Sequence, residues 1–95
     1  MQIWKYPLHL GVEGTVRVQK GAELLHVAGQ HGILCLWAKV DPQVQETEDR
    51  KVAVYGTGQD LNENPGRYIG TADCGPFVWH VFEVEPKLEG DPGEG

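Results

Sequence analysis

"LLHVAGQHGILCLWAKV", residues 24–40, decides the fold class. From Ile33 onward the aliphatic residues Leu34, Leu36, Ala38 and Val40 fall on one side of an extended chain, with Cys35, Trp37 and Lys39 on the other. A period of two marks a half-buried strand. Leu24–Ala28 reads as a second strand. The intervening "GQHG" at 29–32 suits a tight hairpin, because glycines accept the positive φ such turns require.

The same grammar extends in both directions. Gly and Pro, 13 and 6 in number, interrupt the chain too often for an amphipathic helix. Gln2–Leu10 puts Trp4, Tyr6, Leu8 and Leu10 on one face, and Pro7, which has no amide to donate, predicts an edge or a kink. Thr15–Gln19 turns Val16 and Val18 inward. Lys51–Tyr55, Arg67–Ala72 and Phe77–Val84 complete the set. The last has Phe77, Trp79 and Val81 on one face and Val78, Phe82 and Val84 on the other, as in a central strand or one facing a second subunit. "DPQVQETED" (41–49), "QDLNENPG" (59–66) and "DCGP" (73–76) read as loops and turns. The expected fold is all-β, about seven short antiparallel strands forming a β-sandwich or flattened barrel. Residues 1–85 form the single domain, and 86–95 an acidic, Gly- and Pro-rich tail expected to be disordered.

Charge and composition exclude some functions. The net charge of −6 includes no basic stripe, which argues against duplex nucleic acid as a partner. The longest apolar run, Ile33–Ala38, is far too short for a membrane span, and "MQIWKYPLHL" lacks a cleavage signal, so cytoplasmic residence is expected. Cys35 and Cys74 read as free structural thiols, the alternative left open being a disulfide between them. His9, His26, His31 and His80 have no metal-ligand spacing, so no metal site and no cofactor is expected. Ser is absent, and no Cys–His or paired-carboxylate arrangement supports catalysis, so the expectation is a non-enzyme.

What remains is binding chemistry. In "VYGTGQDL" (54–61) the amides of Gly56, Thr57 and Gly58 either cradle an anion as a nest or simply turn the chain. Trp37 and Tyr55 lie on the faces opposite the aliphatic core, where an aromatic ring can stack on a base or fill a subunit interface. Lys39, two residues beyond Trp37, could pair with a phosphate or merely cover the ring with its stem.

Four stretches carry a resemblance: "IWKY" (3–6), "CLWAKVDP" (35–42), "YGTGQDL" (55–61) and "GRYIGT…FVWHVFE" (66–83). Together they resemble a family of small uncharacterised phage and prophage proteins, from which the acidic tail and "DCGP" depart. The resemblance implies a phage accessory protein acting inside a bacterium, or a bacterial relative of one, and it transfers no catalytic residue. The resulting expectation is a counter-defence protein, a homo-oligomer that sequesters a small anionic nucleotide-derived immune signal. Trp37 and Tyr55 would stack on the base, Gly56, Thr57 and Gly58 would meet phosphate, and Lys39 and Arg67 would supply positive charge. The alternative is an interaction module whose aromatic surface docks on a host or virion protein.

Overall fold

The computed structural model describes residues 1–9 and 13–85. Its strands are β1 (Gln2–Pro7), β2 (Glu13–Gln19), β3 (Glu23–Gln30), β4 (Ile33–Val40), β5 (Thr47–Gly56), β6 (Arg67–Cys74) and β7 (Phe77–Glu83). They pair antiparallel into two open sheets, a three-stranded one in the order β1-β4-β3 and a four-stranded one in the order β2-β5-β7-β6. The two sheets make a β-sandwich, and neither closes into a barrel. No helix among the described residues is long and apolar enough to cross a membrane.

β3 and β4 form a hairpin. Its central residues, His31 (φ 53°) and Gly32 (φ 78°), have the sign pattern of a type I′ turn, which matches the right-handed strand twist. β4 is the middle strand of its sheet, and Leu34, Leu36, Ala38 and Val40 are all buried. β1 lies at the free edge, where the missing amide of Pro7 costs no ladder bond. β7 runs between β5 and β6, with Val81 buried in the core while Phe77 and Val78 remain exposed.

The core is the meeting of inward sets: Val16 and Val18 from β2, Leu24 and Val27 from β3, Val52 and Val54 from β5, Ala72 from β6 and Val81 from β7. Each fully buried aliphatic side chain contributes about 1.5–3 kcal/mol relative to exposure. The sheets approach most closely where β3 lies along β6. A Cβ on Gly29 would sit 2.1 Å from the carbonyl oxygen of Asp73, so only glycine fits there. Nearby, the Cys74 thiol donates to the carbonyl of Gly32 at 3.1 Å. Both thiols are free and buried.

Several boundaries differ from the sequence reading: β1 ends at Pro7, before the expected Leu10, β2 begins at Glu13 and not Thr15, and β3 runs Glu23–Gln30 and not Leu24–Ala28. β5 begins at Thr47, not Lys51, because the polar run 47–50 pairs with β2 and not with solvent. Arg17 holds it from the neighbouring strand, donating to Thr47 Oγ1 at 2.9 Å and meeting Asp49 Oδ1 at 3.3 Å. Asp73 and Cys74 belong to β6, leaving Gly75–Pro76 as the turn. The expected strand residue Leu10 and the acidic tail 86–95 lie outside the described residues.

Candidate functional site

The structure distributes the seven candidate residues over three places. Trp37 and Lys39 lie on the outer face of the three-stranded sheet. Trp37 is half-buried beside His26, with ring centroids 6.2 Å apart. Lys39 Nζ meets Glu23 Oε1 at 3.2 Å, so its charge is already paired. Arg67 belongs to neither outer face. Its Nη2 donates to Glu83 Oε1 at 3.1 Å and to the Leu24 carbonyl at 3.4 Å, at the mouth between the sheets.

Tyr55 and Gly56–Gly58 do come together, at one end of the outer face of the four-stranded sheet. Tyr55 takes the face that alternation assigns it, but it is not an exposed aromatic: only 1% of it is accessible. Phe82 packs edge-on against its ring at 5.8 Å, and the following loop returns so that the Asn62 amide lies 3.5 Å from Tyr55 Oη.

For Gly56–Thr57–Gly58 the turn displaces the nest. The Gln59 amide donates to the Gly56 carbonyl at 3.0 Å, and Gly58 has φ 90°, the signs of a type II turn. The Gly56 amide, first of the expected anion-binding donors, instead donates to Gln59 Oε1 at 3.0 Å.

Beside this turn lies a feature that residue spacing did not reveal. His80 faces outward from β7 between Tyr55 on β5 and Thr71 on β6. Its Nε2 lies 2.7 Å from Thr57 Oγ1 and its Nδ1 2.9 Å from Thr71 Oγ1. Thr71 Oγ1 is in turn hydrogen-bonded to Tyr68 Oη. A chain of four polar groups thus crosses the face from Thr57 to Tyr68. A β-bulge between Tyr68 and Gly70 makes it possible. The extra residue, Ile69, shifts the alternation by one, so Tyr68 and Thr71 share the outer face. Strict alternation would place them on opposite faces.

The chain borders a shallow recess of about 280 Å³. Tyr68, Phe82 and Leu61 supply apolar wall, and Thr57, Thr71 and His80 supply polar atoms. No Lys, Arg, Asp or Glu lines it. The larger groove, about 1080 Å³, runs along the mouth that holds Arg67. Arg50, Lys51 and Arg67 there face five carboxylates, so it presents no net positive field to an anion. Its centre is Glu83, which receives Arg50 Nε at 2.6 Å as well as Arg67. Burial by itself would raise the Glu83 pKa, but the hydrogen bonds and charges of the two arginines outweigh it and hold the carboxyl below its ordinary value. Arg50 also donates to the Ala22 carbonyl at 2.8 Å and to Glu48 at 3.2 Å, fastening the start of β3 to the other sheet. These partners account for the ion network as a clamp.

Residues 1–90 match the family model described as "Domain of unknown function (DUF7352)". The chain belongs to that family. No curated protein and no solved structure matches it. The family match spans all seven strands, but its description carries no activity.

Proposed function

We propose that this protein is a binder that takes a small planar ligand on the outer face of the four-stranded sheet and releases it unchanged. One observation carries the reading: the recess joins aromatic wall to a connected run of hydroxyl and imidazole groups, with no fixed charge in its lining. Tyr68 is 54% exposed and offers a π-face, which any heterocyclic base can use. The part of the ligand held there is an uncharged ring. A phosphate on it would point away from the recess, since Lys39 and Arg67 are elsewhere and paired. The phage-type resemblance narrows the role to sequestration of a nucleotide-derived immune signal in a bacterial cytoplasm, with the protein as a homo-oligomer.

The test is calorimetric titration with nucleosides, nucleotides, cyclic nucleotides and ADP-ribose-type nucleotides, followed by chromatography of the mixture. Micromolar binding of at least one is expected, weakened about tenfold or more by Tyr68→Ala, with the ligand recovered intact. Absence of binding across the panel would end the proposal, and turnover would end its non-enzymatic part.

A second reading has its own observation. Ile3 and Ile33, 63% and 51% exposed, share the outer face of the three-stranded sheet with Trp37. Exposed apolar groups on the same face as a half-buried indole suit a protein–protein interface. Under this reading Trp37→Ala abolishes capture of a protein partner and leaves small-ligand titrations untouched.

A further inference from the structure

Two open sheets leave four edge strands, β1 and β3 in one sheet and β2 and β6 in the other. An edge strand offers unpaired amides and carbonyls to any chain that comes beside it. β3 and β6 cover each other along their length. Arg67 Nη2 donates to the Leu24 carbonyl at 3.4 Å, a Cβ on Gly70 would lie 3.1 Å from Val27 Cγ2, and Gly29 abuts the Asp73 carbonyl. These contacts close that side of the sandwich.

The ladders show which groups the other two edges leave free. The Leu8 amide donates to the Leu34 carbonyl at 2.8 Å, continuing the β1–β4 register. Bonding residues alternate in an antiparallel pair, so Gln2, Trp4 and Tyr6 bond to β4 while Ile3, Lys5 and Pro7 turn to the open side. There Pro7 has no amide and Lys5 brings a charge, two devices that blunt an edge. On β2 the Lys20 amide donates to the Glu46 carbonyl at 3.0 Å, continuing the β2–β5 register. Gly14, Val16 and Val18 therefore bond to β5, and the N–H and C=O groups of Glu13, Thr15 and Arg17 turn outward. None of these three is proline, and Thr15 and Arg17 are exposed.

The three positions make a self-complementary edge. When two copies of β2 meet antiparallel about a two-fold axis at Thr15, Thr15 faces Thr15, and position 17 of each faces position 13 of the other. Position 13 is glutamate, so Arg17, whose side chain is 65% exposed, gains an acid from the second copy beside its own Asp49. Threonine pairs and opposite charges are favourable cross-strand neighbours. A register centred on Val16 sets each charge against a neutral residue, and one centred on Arg17 sets two arginines together.

We infer that β2 is the surface by which the chain pairs with a second copy of itself, joining the two four-stranded sheets into one continuous sheet with two main-chain hydrogen bonds at each facing pair. The inference goes beyond the ring-binding reading and does not rest on it. The recess lies over β5, β6 and β7 and stays open in such a dimer.

The experiment is sedimentation velocity of the full chain from about 10 μM to about 1 mM, with amide hydrogen exchange on nitrogen-15-labelled protein at both ends of that range. A dimer with Kd of about 10–100 μM is expected. The Thr15 and Arg17 amides should exchange about threefold or more slower at the high concentration, while Ile3 and Lys5, the free amides of β1, stay unchanged. Thr15→Pro removes the donor on the two-fold axis but no β2–β5 bond, so the variant should be folded by circular dichroism and monomeric throughout. Arg17→Glu sets like charges at both outer pairs and should raise Kd by about tenfold or more. A monomer at about 1 mM, protection of Ile3 and Lys5 in place of Thr15 and Arg17, or a dimer that survives Thr15→Pro would overturn the inference. Ring binding, which titration tests separately, would then still stand. If Thr15→Pro does not fold, the exchange pattern of the unaltered chain decides.

Discussion

Replacing Glu83 by Gln tests the clamp between the sheets. Glu83 is 8% exposed and accepts from Arg50 Nε at 2.6 Å and Arg67 Nη2 at 3.1 Å. A hydrogen bond to a charged group contributes about 1.5–3 kcal/mol where water is largely excluded, as at Arg50, whose side chain is 21% exposed. Arg67 is 49% exposed, so its bond is screened and adds only about 0.5 kcal/mol. Glutamine keeps one acceptor but turns an amide NH2 toward guanidinium donors. Arg50 retains Glu48 and the Ala22 carbonyl, so it is not stranded, and the cost stays below the 3–5 kcal/mol typical of an orphaned buried charge. The expected loss is about 2–3 kcal/mol. Urea unfolding followed by tryptophan fluorescence should show the midpoint falling by about 1–2 M at unchanged slope. The pH dependence has a definite sign. The folded carboxyl is more acidic than the unfolded one, so its contribution is complete above the ordinary glutamate range near about 4.3 and fades as pH falls through the lower folded value. The gap between wild type and variant should be flat from about pH 5 to 7 and narrow below about pH 4. A loss under about 0.5 kcal/mol, or a gap unchanged in acid, would refute the reasoning.

Two further outcomes follow from the close packing at Gly29 and from the burial of the two thiols. Gly29→Ala pushes a Cβ to 2.1 Å from a backbone oxygen that cannot rotate away, so the variant should lose about 2 kcal/mol or more in the same unfolding assay. Cys35 and Cys74, both buried, should resist a colorimetric thiol reagent in the native protein and react together once urea unfolds it.

The fold was legible because its signals are local. Alternation in Ile33–Val40 set the faces of β4, Pro7 marked an edge, and the glycine-bounded "GQHG" marked the hairpin. The site was less legible because it depends on breaks in that alternation. The bulge at Ile69 turns Thr71 toward His80, and nothing in "RYIGTA" announces an extra residue. Tyr55 was assigned its correct face, but its cover comes from Phe82 and a returning loop, both distant in sequence or unpatterned. Glu83 did leave a trace. It falls on the same face as Phe77, Trp79 and Val81, and an acid among inward positions requires a cationic partner. Which arginines answer it is decided only by the crossing of the sheets.

The distribution of candidate residues also constrains any assembly that unites them. Trp37 and Lys39 occupy one outer face of the sandwich, Tyr55 and Gly56–Gly58 the other. No single subunit can bring these two sets to one ligand. Two subunits can, if the three-stranded face of one meets the four-stranded face of the next. Such a contact joins unlike surfaces, so each subunit keeps one unlike face free for another copy, and the series must close into a ring or grow into a filament. An isologous dimer, which pairs a surface with itself, leaves the two sets apart. A mass measurement in solution therefore bears on the proposed ring binding: under that proposal a monomer or an isologous dimer would confine the ligand to the recess beside His80, whereas a closed ring of three or more would allow the indole of Trp37 to cover it from the neighbouring subunit.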